Sequence, residues 1–215
     1  MLLELPVIRL QVQLDHMKPG LPPRRRYEPR ILRQVAELHV TVDGVIGIDD
    51  GAEYLDVHNI RHPRTRDSKG RNGISIMTTG DYAALRARYG AHVTDGIAGE
   101  SLLLDYAPGL AGRAMPADLA VLAAAPAPPA GGAAEGGVIP AVDGAPTRLA
   151  LTGVHIAKPC VEFARFCLER DDFEVDDVVT ATLKDLDGGA RGYKMAAAAS
   201  AVIRPGDLLT VDLGD

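Results

Sequence analysis

The chain has 215 residues, of which 47% are hydrophobic but only 4% aromatic, with no Trp and a formal charge of −6. That length supports a single domain spanning 1–215, with a core that must be built from Leu, Val, Ile and Ala. The acidic balance argues against a nucleic-acid partner, which needs a basic footprint. No apolar run is long enough for a membrane span, and Glu4, Pro6 and Arg9 interrupt residues 1–10 before a signal-peptide core forms, so the expectation is a cytoplasmic protein without a membrane partner.

Residues 7–12 read as a strand, followed by a Lys18-Pro19-Gly20 turn and a basic arm at Arg24, Arg25 and Arg26. Pro29 favours a helix start, and Ile31, Leu32, Val35 and Leu38 share one helical face, so residues 30–38 are expected to form a short covering helix that closes an N-terminal segment of 1–36. Residues 37–48 alternate around Asp43-Gly44, the pattern of strand, turn and strand. After Asp56 and His58 comes a loop over 61–71, then a buried strand at Ile74, Ile76 and Met77. A helix opens near Thr79 or Asp81, carries Tyr82, Leu85 and Tyr89 on one face, and stops at Gly90.

A glycine-rich loop over 94–101 leads into a strand at 102–104. Residues 123–137 are nearly all Ala, Pro and Gly, a composition that does not pack and is expected to be a flexible insertion. A strand resumes over 149–156, helices follow at 161–169 and 180–186, and a strand at 208–213 ends the chain after a Pro205-Gly206-Asp207 turn. Propensity allows a helix at 195–201. A strand is preferred, because Val202 and Ile203 lead into a tight reversal and the final strand needs a partner. Many short strands with few helices predict a mainly β, α+β fold: a closed or partly closed barrel with flanking helices.

Cys160 is the most informative single residue. It stands between an apolar strand ending at Pro159 and the start of a helix, with Lys158 nearby. A cysteine in a first helical turn beside a cation suits a nucleophile, a sulfur carrier or a soft-metal ligand, whereas many free cysteines are buried small hydrophobes. Cys167 lies with Phe163 and Phe166 and reads as core. Seven helical residues separate the two thiols by roughly 10.5 Å, beyond the ~7 Å reach of a disulfide.

Other side chains have two readings each. Arg61, His62, Arg64, Arg66, Lys69 and Arg71 form a cationic island suited to a phosphate, or a solvated loop. Asp56 and His58 meet a ligand together or hydrogen-bond to each other. Glu100 follows a glycine that permits close backbone approach to a ligand, or sits in a plain turn. Arg191 grips a phosphate or supports the Cys160 loop, and Lys158 has the same two options. The chain has no Walker-type loop, dinucleotide fingerprint, His-Glu-x-x-His pair or zinc-type cysteine spacing.

Taken in order, Asp56-Val57-His58, Arg71-Asn72-Gly73-Ile74-Ser75, Gly96-Ile97-Ala98-Gly99-Glu100-Ser101, Pro159-Cys160, Gly189 to Tyr193 and Pro205-Gly206-Asp207 resemble the MOSC domain. This module occurs at the C-terminus of molybdenum-cofactor sulfurases and in amidoxime-reducing and YiiM-like or YcbX-like proteins. The resemblance covers most of the chain and implies a MOSC-type closed β-barrel. It further implies that Cys160 ligates the metal of a molybdenum cofactor (molybdopterin), or carries sulfur as a persulfide. Arg71, which abuts the strand at 74–76 and matches the family motif, is then expected at the cofactor with Glu100, Lys158, Arg191, Asp56 and His58. The implied activity is reduction of N-hydroxylated or related small molecules, with a redox partner. The alternatives are sulfur transfer from a cysteine desulfurase, or a non-catalytic anion-binding module.

Overall fold

The computed structural model describes residues 1–123 and 147–214. Its longest strand, β1 (Leu2–Gln13), runs through three partners in turn. Residues 2–6 pair antiparallel with β12 (Leu208–Asp212), Val7 to Leu10 with β7 (Leu102–Leu104), and Gln11 to Gln13 with β2 (Leu32–Gln34). Pro6, which has no N–H to donate, falls at the first change of partner.

A register shift between Val7 and Arg9 alters which face of β1 is inward. Leu5 and Val7 are buried before it, Leu10 and Val12 after it. Because the parity has changed, Gln11 and Gln13 point away from the barrel interior, towards the loop that precedes β7.

The remaining barrel strands are β6 (Ile74–Thr78), β8 (Asp118–Ala123), β9 (Thr147–Ile156) and β10 (Tyr193–Ala197). The order β12-β8-β9-β10-β6-β7-β1, with β1 returning to β12, closes a seven-stranded barrel. β6 and β7 are parallel, joined by a crossover that contains α1 (Thr79–Tyr89). Alternation sorts their side chains: Ile74, Ile76, Leu102 and Leu104 fill the barrel, while Met77 and Leu103 face outward into a second core under the helices. Each such side chain contributes about 1.5–3 kcal/mol by leaving water.

A second sheet, in the order β11 (Ala201–Ile203), β3 (Glu37–Thr41), β4 (Gly44–Asp49), β5 (Ala52–Leu55), lies against the barrel. Leu38, Val40 and Val45 join the barrel core. Gly47 of β4 permits the approach, since a Cβ there would lie 2.7 Å from Val35 and 3.0 Å from Val12.

The outer core holds Tyr82 and Leu85 of α1, Phe163, Ala164 and Cys167 of α2 (Val161–Cys167), and Val179 of α3 (Asp177–Asp185). Thr78 caps α1 by accepting from the Asp81 N–H, and Gly90 ends it with φ +114°, as the sequence predicts. Burial pushes the Cys167 thiol up to about 12, and both cysteines are free. Among the described residues no helix is long and apolar enough to cross a membrane.

The expected helix over 30–38 is not there. Pro29–Ile31 forms one 3₁₀ turn, followed by β2 and β3. The apolar positions that fit a helical face also fit β pairing, and the bonds of Gln34 to Gln11 and of Leu38 to Gly47 decide for strands. Residues 195–197 are strand, as preferred, but the reason differs. β12 pairs with β1 and β8, whereas β11 pairs with β3. Of the insertion expected at 123–137, residue 123 ends β8, and residues 124–137 lie outside the described residues.

Candidate functional site

Cys160 occupies the residue before the first helical turn of α2, with φ −129° and ψ 156°, and its side chain makes no cap hydrogen bond. Its carbonyl accepts the Ala164 N–H at 3.0 Å, so the helix begins directly behind it. The preceding segment is tied down where the Ala157 N–H donates to Gly192 O at 3.0 Å. That bond brings together two distant segments, the run before Cys160 and the glycine turn before β10. Gly192 has φ +76°, and any Cβ on it would sit 1.9 Å from the carbonyl oxygen of Ile76, so glycine is required there.

This turn places Arg191 beside Cys160. Nη1 of Arg191 donates towards the Cys160 sulfur at 3.7 Å, Nη2 donates to Ala98 O at 2.9 Å, and the guanidinium lies 4.3 Å over the Phe163 ring. The thiol thus faces the guanidinium of Arg191, which comes from a different part of the chain than Lys158.

The loop over 94–99 forms the opposite wall. Four successive carbonyls in it accept from side chains: Gly96 from Gln11 at 2.7 Å, Ile97 from Tyr27 at 2.8 Å, Ala98 from Arg191, and Gly99 from Gln13 at 2.6 Å. Such a fully occupied loop is fixed in shape. Gly99 has φ +83°, and a Cβ would lie 2.5 Å from the Met17 sulfur.

Between these walls lies a cleft of about 190 Å³. Glu100, Lys158, Cys160, Arg191 and His58, five residues singled out from the sequence, line it together. Lys18, Arg66 and Lys194 line it as well, giving five Lys or Arg side chains against Glu100, the sole acid among the described lining residues. Burial pushes the Lys194 ammonium down, and the charges of Arg191 and Lys18 push it the same way. Burial also lowers His16, with Arg66 acting in the same direction while a hydrogen bond to Arg64 opposes them. An anion in the cleft relieves this crowding of positive charge.

Asp56 stands behind the lining. It is buried, with Oδ2 accepting the Gln13 N–H at 2.7 Å and Oδ1 accepting the His58 N–H at 2.8 Å and His58 Nδ1 at 3.0 Å. Its role is to hold His58 and the end of β1. Arg71 is exposed and borders a separate groove with Asn72, Thr152 and His155. Of the cationic island, Arg66 is the member that reaches the cleft. Arg64 pairs with Asp15, and Asp67 folds the loop by accepting from the Arg71 and Asn72 N–H groups. Ser101 is buried and bonds to Ser75 across β6.

Sequence reasoning did not single out Gln13, His16, Lys18, Tyr27 or Lys194 as site residues. Gln11 and Gln13 carry a usable signal, being two polar residues at strand period in an apolar strand. Tyr27 and Lys194 carry none, because long-range contacts alone bring them to the cleft: Tyr27 packs on Phe163 and Phe166 of α2 and bonds Ile97 O, and Lys194 stands on β10 between β6 and β9.

No family model and no curated protein matches the chain. Its fold is similar to that of the YUAD protein from Bacillus subtilis, with a TM-score of 0.54 at 12% identity over 98% of this chain and 97% of that one. It is also similar to the crystal structure of a hypothetical protein, with a TM-score of 0.52 at 10% identity over all of this chain and 70% of the other. At these identities the likeness concerns the fold.

Proposed function

We propose that this protein binds the molybdenum cofactor, with Cys160 as the protein's ligand to the metal, and reduces N-hydroxylated or related small molecules. The observation that carries the reading is one cysteine held against Arg191 in a cleft lined by five Lys or Arg side chains. Soft thiolate donors suit such a centre, and guanidinium and ammonium groups suit its phosphate.

The residues fit that group. Among the described residues no cluster of three or more His, Cys, Asp or Glu is placed to chelate a bare ion. A lone cysteine suits a metal that arrives with most of its ligands already in place. The depressed Lys194 ammonium gains from an anion beside it. The bound cofactor supplies two-electron redox chemistry. Cys160 fixes its position, Arg191 orients the thiol side, Lys158, Lys18 and Arg66 neutralise phosphate, and the pinned 94–99 loop keeps the wall rigid.

The test is elemental analysis of protein made in cofactor-competent cells. Wild type is expected to carry about one molybdenum per chain, and Cys160→Ala to lose it while keeping its circular dichroism. Wild type without molybdenum overturns the reading. A sulfur adduct on Cys160 by intact mass, formed with a cysteine desulfurase and without molybdenum, identifies a persulfide carrier instead.

A further inference from the structure

Lys194 is the cation of the cleft left over once Lys158, Lys18 and Arg66 neutralise the cofactor's phosphate. It stands on β10 between Tyr193 and Met195, whose side chains fill the barrel, so its own side chain points outward onto the floor of the cleft. It forms no hydrogen bond or ion pair among the described residues, and its ammonium keeps access to solvent where Arg191 Nε has none. The acids near it are committed elsewhere. Asp56 accepts from Gln13 and His58, and Asp67 from the Arg71 and Asn72 N–H groups and the Asn72 amide. Glu100 turns to the Tyr82 hydroxyl at 2.7 Å, and burial pushes its carboxyl up to about 7. Burial, Arg191 and Lys18 meanwhile push Lys194 down, so its ammonium stands uncompensated.

A hydroxyl beside it completes a site. Lys194 is the direct partner of Ser75 on β6, which puts their Cβ atoms about 4.5–5.5 Å apart on the same outer face of the barrel. Ser75 Oγ accepts the Ser101 N–H at 3.1 Å, while Ser101 Oγ accepts the Ser75 N–H at 3.3 Å. The Ser75 hydroxyl proton has only a 3.5 Å contact to Ser101 Oγ and is free to point into the cleft, which Ser75 lines. On its other side Lys194 faces His155 of β9, whose ring nitrogens are engaged by Gly153 O and Asn72 Oδ1. One ammonium and one hydroxyl side by side match the two oxygens of a carboxylate. Arg191 faces the thiol and Lys194 is three residues further on, so their Cα atoms lie at most about 11 Å apart. A small molecule with its reacting group at one end and a carboxylate at the other spans that interval.

We infer that Lys194 and Ser75 anchor a carboxylate on the substrate, so that the compound reduced beside Cys160 and Arg191 is an N-hydroxylated acid. This rests on the function proposed above. As the N–O bond breaks, the oxygen leaves as water with one solvent proton, the nitrogen takes another, and two electrons come from an external low-potential reductant such as a reduced viologen.

The test compares N-hydroxybenzamidine with 4-carboxy-N-hydroxybenzamidine under reduced viologen. Wild type, Lys194→Met, Lys194→Arg and Ser75→Ala are used, each assayed for molybdenum content, with Lys194→Gln in place of the apolar variant should that one not fold. Wild type is expected to show about a tenfold lower KM for the carboxylated substrate, a difference that shrinks as salt is raised. Lys194→Met is expected to keep its molybdenum and lose the preference, Lys194→Arg to retain it, and Ser75→Ala to weaken it about threefold. Calorimetric titration with 4-carbamoylbenzoate and benzamide, which are not turned over, reads the same preference as a difference in Kd. Wild type without molybdenum overturns the function on which this rests, and the calorimetry still reads the carboxylate site. Loaded wild type with equal KM and equal Kd for the charged and uncharged compounds overturns the carboxylate site alone. Folded Lys194→Met without molybdenum overturns it too, since Lys194 then serves the cofactor's phosphate.

Discussion

Arg191 reaches back 93 residues along the chain to the carbonyl oxygen of Ala98, 2.9 Å away. One side chain thereby fastens the glycine loop to the segment before β10 while its other terminal nitrogen faces Cys160. A lysine cannot reproduce this, because an ammonium lacks the planar fork that serves two acceptors and lies flat on Phe163. Arg191→Lys is expected to cost about 1–2 kcal/mol in urea unfolding and to lower the molybdenum content of the purified protein.

Asp56→Asn tests the support beneath His58. The carboxylate accepts from three donors on Gln13 and His58, and an amide presents N–H to at least one of them. A loss of about 2 kcal/mol is expected from urea midpoints, with an unchanged m-value.

Glu100 also shapes the pH dependence of folding. Its folded-state value of about 7 exceeds the ordinary 4.5, so the native protein takes up a proton over that interval. The stabilisation is fully present below the lower value and is lost as pH rises to the upper one. The wild type is expected to lose about 3 kcal/mol relative to Glu100→Gln across this window, measured by urea unfolding at a series of pH values.

Gly192→Ala places a Cβ against Ile76 O at a position with φ +76°, where backbone on both sides is held. The expected cost exceeds about 3 kcal/mol, visible as a lower melting temperature or a failure to fold. Gly188→Ala is the control: its φ is +70° but nothing lies within 4 Å, so about 1 kcal/mol is expected.

The strands were legible in the sequence because the apolar runs at 74–77 and 102–104 mark buried barrel strands and the alternation in 37–48 marks the hairpin of the second sheet. Three features were not. The apolar positions at 31, 32, 35 and 38 satisfy a helix as well as a strand, and pairing with Gln11 and Gly47 settles the matter. β5 is short and its first two residues are exposed, so it shows little apolar pattern of its own. β8 is largely Ala and Leu and is made a strand by its neighbours β9 and β12.

The site follows the same division. Cys160, Glu100, Arg191, Lys158 and His58 stand in local runs with glycine, proline or cap signals, and they meet in the cleft. Arg71 shares such a run but borders another groove, because Asp67 binds its backbone and sets the direction of the loop. Lys194 matters through the pairing of β10 in the barrel and Tyr27 through its packing on α2 and its bond to Ile97 O, contacts that no local pattern records.

Barrel closure by β1 and β12 has a mechanical consequence. The two strands run antiparallel from Leu2 opposite Asp212 to Pro6 opposite Leu208, and the Met1 amino group bonds Gly214 O at 2.8 Å. Tension applied between residues 1 and 214 therefore loads the ladder from one end, opening its bonds singly rather than shearing them all at once. In an optical trap the barrel should peel open at low force from this seam, with the Cys160 cleft among the parts that yield later.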